Sequence, residues 1–435
     1  IASGGNYNVV VGDEAGTALT TGDNNVAIGF EALSTEDANG LNVAVGFRSL
    51  KTLNAGADGE NTAVGNNTGT AMTTAVYNVV VGSQAGDALT DGSSNTAIGM
   101  NALTADTRGQ NSVAIGRNAL LVQNFTSSTD SYNVAIGRDV GKAITTGVQN
   151  TLIGSLAGDA MTDADGNVAV GYAALTSNVL GSDSVAIGKN ALNAQNPSSA
   201  TAMNNVAVGK NAGEAITTAT HNVAVGFQAM DATNTGGFNT AIGRDALGGN
   251  TSGTNNTIVG GQANQVGTAV SHNTMMGYGA GYNTTGSENT FIGRRSGAGA
   301  GEEVTSGAKN VIIGGYNGNQ DSLDIRTTDN NIVISDGDGN AELFHRSGGD
   351  WVLKADIAND VGFIIQNTNA TNPYVVSIQT PNSADNDSNE AFLICADSNA
   401  NRFIVQNNGN VRNTNNDYGA TTPNRHKSSL SPLAE

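Results

Sequence analysis

The stretch Asn25-Val26-Ala27-Ile28-Gly29 decides the fold, because variants of it return along most of the chain. Eighteen copies occur before residue 315, and the usual step between them is the one from Gly12 to Gly29. A fixed short period is the signature of a solenoid. The sequence therefore predicts an all-β chain that forms a parallel β-solenoid, or β-roll, of about 18 coils. Among the Asn and Gly residues that repeat in this way are Asn25, Gly29, Asn78, Gly82, Asn95, Gly99, Asn133, Gly137, Asn222 and Gly226.

Each copy is predicted to be a short strand that is apolar on both faces. The residue before the glycine is aliphatic in all eighteen copies, and the residue three before it is Val or Thr. These two share a face because strand side chains alternate, and we expect them to point into the coil. The residue between them is Ala in eleven copies. Since a strand apolar on both faces is covered on both, identical chains are expected to pack along this outward Ala stripe.

The two ends of the motif have structural explanations. The glycine ends the strand where a tight corner or a positive φ needs a residue without Cβ. Four residues before it stands Asn in sixteen copies and Ser112 or Ser184 in the others. Asn tolerates left-handed backbone and bonds its own turn, and stacked amides can also form a ladder from coil to coil.

The residues after the glycine divide the coils into two kinds. One kind continues with Ala-Gly, as at Ala85-Gly86, and the other with Ala-Leu, as at Ala102-Leu103. From Gly65 onward two coils of the first kind are followed by two of the second. This block of four starts again at Gly137 and, after an equal interval, at Gly209, which indicates a duplicated unit. Longer steps hold loops such as 121–131 and 193–203, which we expect to project from one side.

The composition is fibrous rather than that of a globular enzyme. Of 435 residues, 58 are Gly, 5% are aromatic and 13% are charged, with a net charge of −19. An acidic chain does not favour nucleic acid as a partner. No stretch approaches the roughly 20 apolar residues of a membrane span, so membrane insertion is not expected. The one cysteine, Cys395, lies in an apolar run and is predicted to be a core thiol.

Three regions follow from the change in pattern. Residues 1–317 form the solenoid, and we expect residues 318–412 to form a small antiparallel β module. That module is predicted from apolar segments separated by turn residues such as those of 336–340 and 407–410. Residues 413–435 are polar and are predicted to be an extended tail. The predicted strands are 331–334, 341–344, 351–353, 362–365, 374–378, 392–394 and 403–405.

The position after the motif glycine holds aromatic and basic residues in many coils. Such a column could stack on sugar rings and bind an anionic glycan, or it could serve packing and salt bridges between chains. The neighbouring acids Glu31, Asp139 and Asp245 favour the second interpretation. The candidate residues are Phe30, Phe47, Arg117, Arg138, Tyr172, Lys189, Lys210, Phe227, Arg244, Tyr278 and Arg294.

Catalysis has little support in the sequence. The four histidines stand in unrelated contexts, and no nucleophile motif, metal-ligand cluster or phosphate loop is present. The segment 336–340, Asp-Gly-Asp-Gly-Asn, resembles the start of a calcium loop but lacks the later glutamate, so a hairpin turn is predicted. We therefore expect no enzyme activity, no metal and no cofactor.

The repeat resembles the β-roll of trimeric autotransporter adhesin heads, which carry Asn-Ser-Val-Ala-Ile-Gly. The stretch 111–116 matches that motif letter for letter. The resemblance covers roughly the solenoid, although that family's common coil is shorter than the coil of this chain. It implies a left-handed roll in which three chains pack around a threefold axis.

Similar coils occur in bacteriophage tail fibres, and the segment 403–411, followed by 415–420, resembles the end of a fibre shaft that precedes an intramolecular chaperone. The usual Ser-Asp junction is replaced by Thr421-Thr422-Pro423. These resemblances imply an extracellular, homotrimeric fibre of the phage virion that contacts other tail or virion proteins. Its receptor would be a bacterial surface glycan or outer-membrane protein. The alternatives are an adhesin head on a bacterial surface and, less favoured, a glycan-depolymerising tailspike.

Overall fold

The computed structural model describes residues 4–295, 297–354, 391–396, 401–406 and 411–413. No helix occurs in these ranges. The repeated pentads form parallel strands, three residues long in every coil but the last. They are Val9–Val11, Val26–Ile28, Val43–Val45, Thr62–Val64, Val79–Val81, Thr96–Ile98, Val113–Ile115, Val134–Ile136, Thr151–Ile153, Val168–Val170, Val185–Ile187, Val206–Val208, Val223–Val225, Thr240–Ile242, Thr257–Val259, Thr274–Met276, Thr290–Ile292, Val311–Ile313 and Ile332–Ser335.

The strands stack in one register from the first coil to the last. Val9 pairs with Val26 and Val134 with Thr151, so each motif position lies directly over the same position of the next coil. The predicted parallel β-solenoid is thus confirmed, with one coil more than the pentads indicated. That coil carries Ile332–Ser335, which pairs in parallel with Val311–Ile313.

The strand faces point the opposite way from the sequence prediction. The middle residue, for example Ala114 or Ala135, is fully buried, whereas its neighbours Ile115 and Ile136 are half-buried or exposed. The Ala stripe therefore lies inside the coil and cannot be the surface on which another chain packs. The reason is the limited space inside the coil. The strand contributes one side chain to each coil interior, and the segment opposite the strand, which we call the far wall, contributes a larger aliphatic side chain.

That far wall explains the two kinds of coil. In the Ala-Leu kind, the leucine four residues after the motif glycine, such as Leu120, fills the interior. In the Ala-Gly kind that position is glycine, and the aliphatic side chain comes from three residues later, such as Leu89 after Gly86. A Cβ on Gly86 would lie 2.9 Å from Leu89 Cδ1, which explains why most coils use one source; the coil of Leu50 and Leu53 buries both. Both positions have left-handed backbone, with φ of 56° at Gly86 and 49° at Leu120.

The motif glycine is required by the approach of the next coil. Gly137 has φ of 143°, and a Cβ there would lie 2.7 Å from the carbonyl carbon of Gly154. Both the backbone conformation and the spacing exclude a side chain. The predicted role of the glycine at the strand end is confirmed.

The predicted asparagine ladder is present, and it is buried. The Asn150 side-chain oxygen accepts a hydrogen bond from the Asn167 backbone N–H at 3.0 Å, and the Asn150 amide donates to the Ala164 carbonyl at 2.8 Å. The left-handed residue of this turn is not the asparagine but the one before it, as at Gln149 with φ of 60°. Each amide therefore satisfies backbone groups of the neighbouring coil that would otherwise be orphaned in the interior.

The two serines of the ladder are compensated by the long coils that come after them. A serine has no side-chain amide, and at both positions a buried glutamine bonds the serine hydroxyl and the asparagine side chain of the next coil. Ser112 also bonds the hydroxyl of Ser131 in the next coil. Gln123 donates to Ser112 Oγ at 2.9 Å and accepts from the Asn133 amide at 2.9 Å. The loops thus enter the core, rather than simply projecting from it, and part of each pairs in parallel with an earlier coil. These pairs are Gly109–Gln110 with Thr129–Asp130 and Gly181–Ser182 with Thr201–Ala202.

The last strand of the stack pairs on its free side with an antiparallel strand. Ala341–His345 pairs with Ile332–Ser335 and with Trp351–Leu353. These strands belong to a compact unit that spans Ile1–Lys354, so the first part of the predicted C-terminal module is continuous with the solenoid. Smaller antiparallel pairs are Arg294–Arg295 with Ala298–Gly299 and Asn319–Gln320 with Leu323–Asp324.

The second unit, Ala355–Glu435, contains a three-stranded antiparallel sheet. Its strands are Ala391–Ala396, Asn401–Gln406 and Val411–Asn413, which confirms the predicted strands at 392–394 and 403–405. The predicted strands at 362–365 and 374–378, the turn at 407–410 and most of the tail lie outside the described residues, as does the side chain of Cys395.

Candidate assembly and ligand-binding face

The outward side of the strand stack forms a continuous apolar surface, which we call the strand face. It consists of the residues one and three positions before each motif glycine. Ile136 and Val11, for example, are 36% and 57% exposed. Because the strands are in register, Val, Ile and Thr form two unbroken columns along the stack. Soluble monomers rarely expose contiguous apolar patches of this extent.

One long edge of the strand face is the column after the motif glycine, which we call the post-glycine column. The predicted aromatic and basic residues lie there and are exposed. Neighbouring members contact one another in pairs. Phe30 and Phe47 stack with ring centroids 5.5 Å apart, and Arg294 lies over the Tyr278 ring at 4.7 Å. The amines of Lys189 and Lys210 lie over the rings of Tyr172 and Phe227, at 5.7 and 5.5 Å respectively.

The remaining cations of this column are paired with adjacent acids. Arg117 and Arg138 converge on Asp139, with nitrogen–oxygen distances of 3.6 and 3.5 Å. Arg244 lies 3.3 Å from Asp245. Asp139 and Asp245 are thus partners of these arginines within the chain, and the salt bridges expected between chains stay a prediction.

Glu31 has different partners from those expected. It binds Lys51 at 2.7 Å and Arg48 at 2.6 Å, neither of which belongs to the candidate column. Hydrogen bonding from Lys51, supported by Arg48, lowers the pKa of the Glu31 carboxyl. Arg48 and Lys51 also line an open groove of about 440 Å³ together with Asp87. Glu31 and Asp87 together balance the charges of Arg48 and Lys51, so the groove is not a strong anion site.

The opposite edge of the strand face carries a second column that the sequence analysis did not single out. It holds the left-handed residue five positions before each motif glycine, and we call it the pre-strand column. Its aromatic members are strongly exposed, with Tyr77 at 55% and Phe238 at 59%. His221 stacks on Phe238 with centroids 4.7 Å apart. The signal was present in the sequence as a column of tyrosine, phenylalanine, histidine and acidic residues with the same period.

The three acidic members of the pre-strand column, Glu60, Asp183 and Glu288, have no side-chain partner among the described residues. Asp183 and Glu288 are exposed, and neither forms an ion pair or a side-chain hydrogen bond there. Together the strand face and its two edge columns present apolar side chains in the middle with aromatic and charged side chains at both margins. This is the general anatomy of a protein–protein interface.

The segment 336–340 forms the predicted hairpin turn. The Asp336 carboxylate accepts hydrogen bonds from the backbone N–H of Asp338 at 3.0 Å and of Asn340 at 2.8 Å. Hydrogen bonding from the Asn340 side chain is the main reason that the Asp336 pKa is lowered. Within the part of the chain that the structure describes, no group of three or more His, Cys, Asp or Glu residues could hold a metal ion.

The fold and its repeated sequence define a β-solenoid repeat protein. Comparison with protein-family models and with curated protein sequences finds no match to this chain. In the ranges that the structure describes, no helix has the length and hydropathy that crossing a bilayer requires.

Proposed function

We propose that this chain is the subunit of a rigid homotrimeric fibre that attaches a bacteriophage tail to the surface of its host. The observation that carries the proposal is the strand face, an exposed apolar surface that runs without interruption through every coil. A surface of this length is stable in water when another surface covers it, and the same chain supplies one of matching length and period.

The energetics favour self-association along the whole stack. Covering a half-exposed Val or Ile side chain contributes on the order of 1 kcal/mol, since full burial is worth roughly twice that. The contribution recurs in each coil, so even weakly favourable coils add up to a firm assembly. The trimer is the form that the resemblance of residues 111–116 to adhesin-head repeats implies.

The proposed role in attachment follows from the number of identical receptor contacts in a trimer. A stiff trimer presents each weak receptor contact three times at a fixed spacing, and avidity then makes attachment firm without any single strong site. The receptor class is a bacterial surface glycan or outer-membrane protein, and the partners at the other end are further tail or virion proteins. The fibre-shaft-like segment at 403–411 supports the phage assignment over an adhesin head.

The first test is the mass in solution by light scattering without denaturant. We expect three times the 43.8 kDa of one chain. A mass near 43.8 kDa contradicts the proposal, because the strand face would then be stable in contact with water.

Two further measurements separate the alternatives. The trimer should bind bacterial cells of a susceptible host, and a soluble extract of that host's surface polysaccharide should compete. Incubation with the same polysaccharide should release no reducing ends, whereas a depolymerising tailspike would release them. Binding to tissue proteins of a multicellular organism that a bacterium colonises, in place of bacterial cells, would favour the adhesin head.

A further inference from the structure

We infer that neighbouring copies of this chain associate level with one another, coil for coil, so that the post-glycine column of one copy meets the pre-strand column of the next. The inference rests on the proposed self-association and adds the partner edge and the register. It comes from the chemistry of the two edge columns, which the structure places on opposite margins of the strand face.

The geometry of a cyclic assembly decides which edges meet. When copies are related by a rotation axis parallel to the stack, the right margin of one face meets the left margin of the next at the same height. This holds for two copies or three. With an axis perpendicular to the stack, each margin would instead meet itself. The post-glycine column carries six cations, so that arrangement would bring like charges together.

At equal height the two columns are complementary. Each coil contributes one residue to each column, six positions apart in sequence. Two carboxylates meet cations, because Asp183 shares its coil with Lys189 and Glu288 shares its coil with Arg294. All four side chains are exposed, and the two carboxylates are unpaired among the described residues. An ion pair across the interface supplies the partner that each lacks.

Most of the other charged members follow the same rule; the exception is Lys309, which meets Gly315. Arg138 and Arg244 share their coils with Tyr132 and Phe238, which suits cation–π contacts between copies. The remaining cations, Arg117 and Lys210, each meet an asparagine, whose carbonyl oxygen accepts hydrogen bonds. The third carboxylate, Glu60, meets Asn66, whose amide donates them. Further coils pair one ring with another ring or with an aliphatic side chain, and these are His221 with Phe227, His272 with Tyr278, and Leu41 with Phe47.

A shift by one coil destroys most of this complementarity. In one direction Arg294 meets Lys309, and no carboxylate of the pre-strand column meets a cation. In the other direction Asp183 meets Lys210, but Glu288 meets Gly315. Of these three arrangements, only the level one gives both Asp183 and Glu288 a cation and places no cation against another. A shift of three coils also gives both a cation, but it sets Glu60 against Asp13.

Cysteine cross-linking tests the register directly, in a Cys395→Ser background so that the native thiol cannot react. A disulfide needs Cα atoms within roughly 7 Å, so it reports which residues face each other. The variant Asp183→Cys with Lys189→Cys should form, on mild oxidation, covalent dimers and then three-chain rings on a non-reducing gel. Asp183→Cys with Lys210→Cys, and Lys189→Cys with Asn204→Cys, report the two shifted registers and should remain mostly single chains.

Each outcome has one meaning. A trimer in which none of the pairs cross-links overturns the pairing of the two edge columns and leaves the proposed trimer intact. A shifted pair that cross-links instead overturns the closed trimer as well, because a shift repeated at three interfaces cannot close a ring. A single-chain mass for the unmodified protein overturns both. The single variants Asp183→Cys and Lys189→Cys control for random collision and should give no ring.

Charge exchange gives an independent measurement that does not depend on disulfide geometry. Asp183→Lys should weaken association by roughly tenfold or more, because it sets two cations against each other. Adding Lys189→Asp should restore most of the loss. Lys142→Asp reverses a charge on an exposed turn away from the strand face and should leave the mass unchanged. Failure of the second change to rescue the first would contradict the pairing.

Discussion

The two sides of each three-residue strand carry side chains of different size, and the larger apolar ones face outward, which is the reverse of what is usual in proteins. The side that faces the coil interior carries the smallest residues, mostly alanine, while the side that faces outward carries valine, isoleucine and threonine. The interior is narrow and is filled from the far wall, so size limits what it accepts. The outward side has no such limit, and its large apolar residues mark it as a surface to be covered. In a solenoid of this width, residue size rather than hydropathy tells the inside from the outside.

A larger residue in the middle of the strand should be most destabilising in an Ala-Leu coil. Ala114→Leu should destabilise the fold by about 3 kcal/mol, because Leu120 already fills that interior and overpacking of this kind is costly. The midpoint of chemical denaturation followed by circular dichroism measures it.

Two controls add the same bulky side chain elsewhere. Ala135→Leu lies in an Ala-Gly coil, whose neighbour already holds Leu152, and should cost clearly less. Val113→Leu adds bulk to the outward side and should change stability by no more than about 0.5 kcal/mol. Equal losses at Ala114 and Val113 would refute the size argument.

The interior also depends on its amide ladder. Asn150→Ala removes the acceptor for the Asn167 backbone N–H and the donor to the Ala164 carbonyl, both of which are buried. Since an orphaned buried group costs about 1–3 kcal/mol, we expect a loss of about 2 kcal/mol in thermal or chemical unfolding. Asn124→Ala removes an exposed side chain that accepts one hydrogen bond from Thr107, and it should have little effect. A similar loss in both variants would show that burial is not the cause.

The outward side should respond in assembly rather than in chain stability. Ile136→Glu combined with Ile153→Glu places two charges on the strand face, where the native side chains are 36% and 37% exposed. The single chain should lose less than about 1 kcal/mol, because these positions are in contact with water when unassembled. Light scattering should show the mass falling toward 43.8 kDa. Retention of the trimer with both charges in place would mean that another surface holds it together.

The smallest expected effect concerns a buried carboxyl. Desolvation raises the pKa of Asp106, so folding favours its protonated form. The favourable contribution is present below the ordinary value of 3.8 and is lost as the pH rises through the raised value. Asp106→Asn should therefore stabilise the protein at pH 7, by a small amount only, because the carboxylate oxygen that accepts a hydrogen bond from Gln123 is replaced by an amide nitrogen.

That gain should shrink toward zero as the pH is lowered below 4. Asn178 occupies the equivalent position four coils later and makes the same hydrogen bond to a glycine N–H, so the substitution has a precedent within the chain. Denaturation midpoints of both proteins across this pH range provide the check. A gain that does not depend on pH would rule out the ionisation as its source.

Much of the fold could be predicted because the repeat states it eighteen times. The period indicated the solenoid, the glycine indicated the strand end, and the asparagine indicated the ladder. The alternation of side chains along the strand could not show which side faces inward. Both sides are apolar, and the alternation has a period of two residues whichever side is buried. A further clue existed: every Ala-Leu coil has alanine in the middle of its strand, whereas the larger residues there occur only in other coils.

The candidate site was predicted in part. Its basic and aromatic column was found because it adjoins the recurring glycine of the motif, but the pre-strand column was missed. Polar, aromatic and acidic residues alternate there without a consensus, so only the structure places them on one margin of one face. The contributions of Gln123 and Gln195 to the ladder were also beyond sequence reasoning, since they depend on how a loop turns inward.

Those two glutamines limit how the number of coils can change during evolution. Ser112 and Gln123 recur together in the next four-coil block as Ser184 and Gln195. In the block after that, the long loop is missing, and Asn256 and Gly267 stand in their places. The serine and the inserted loop therefore occur together in this chain, and both are absent from the third block. A deletion that removes Gln123 but keeps Ser112 leaves the serine without its partner, so we expect changes in coil number to be tolerated where their boundaries keep the two together.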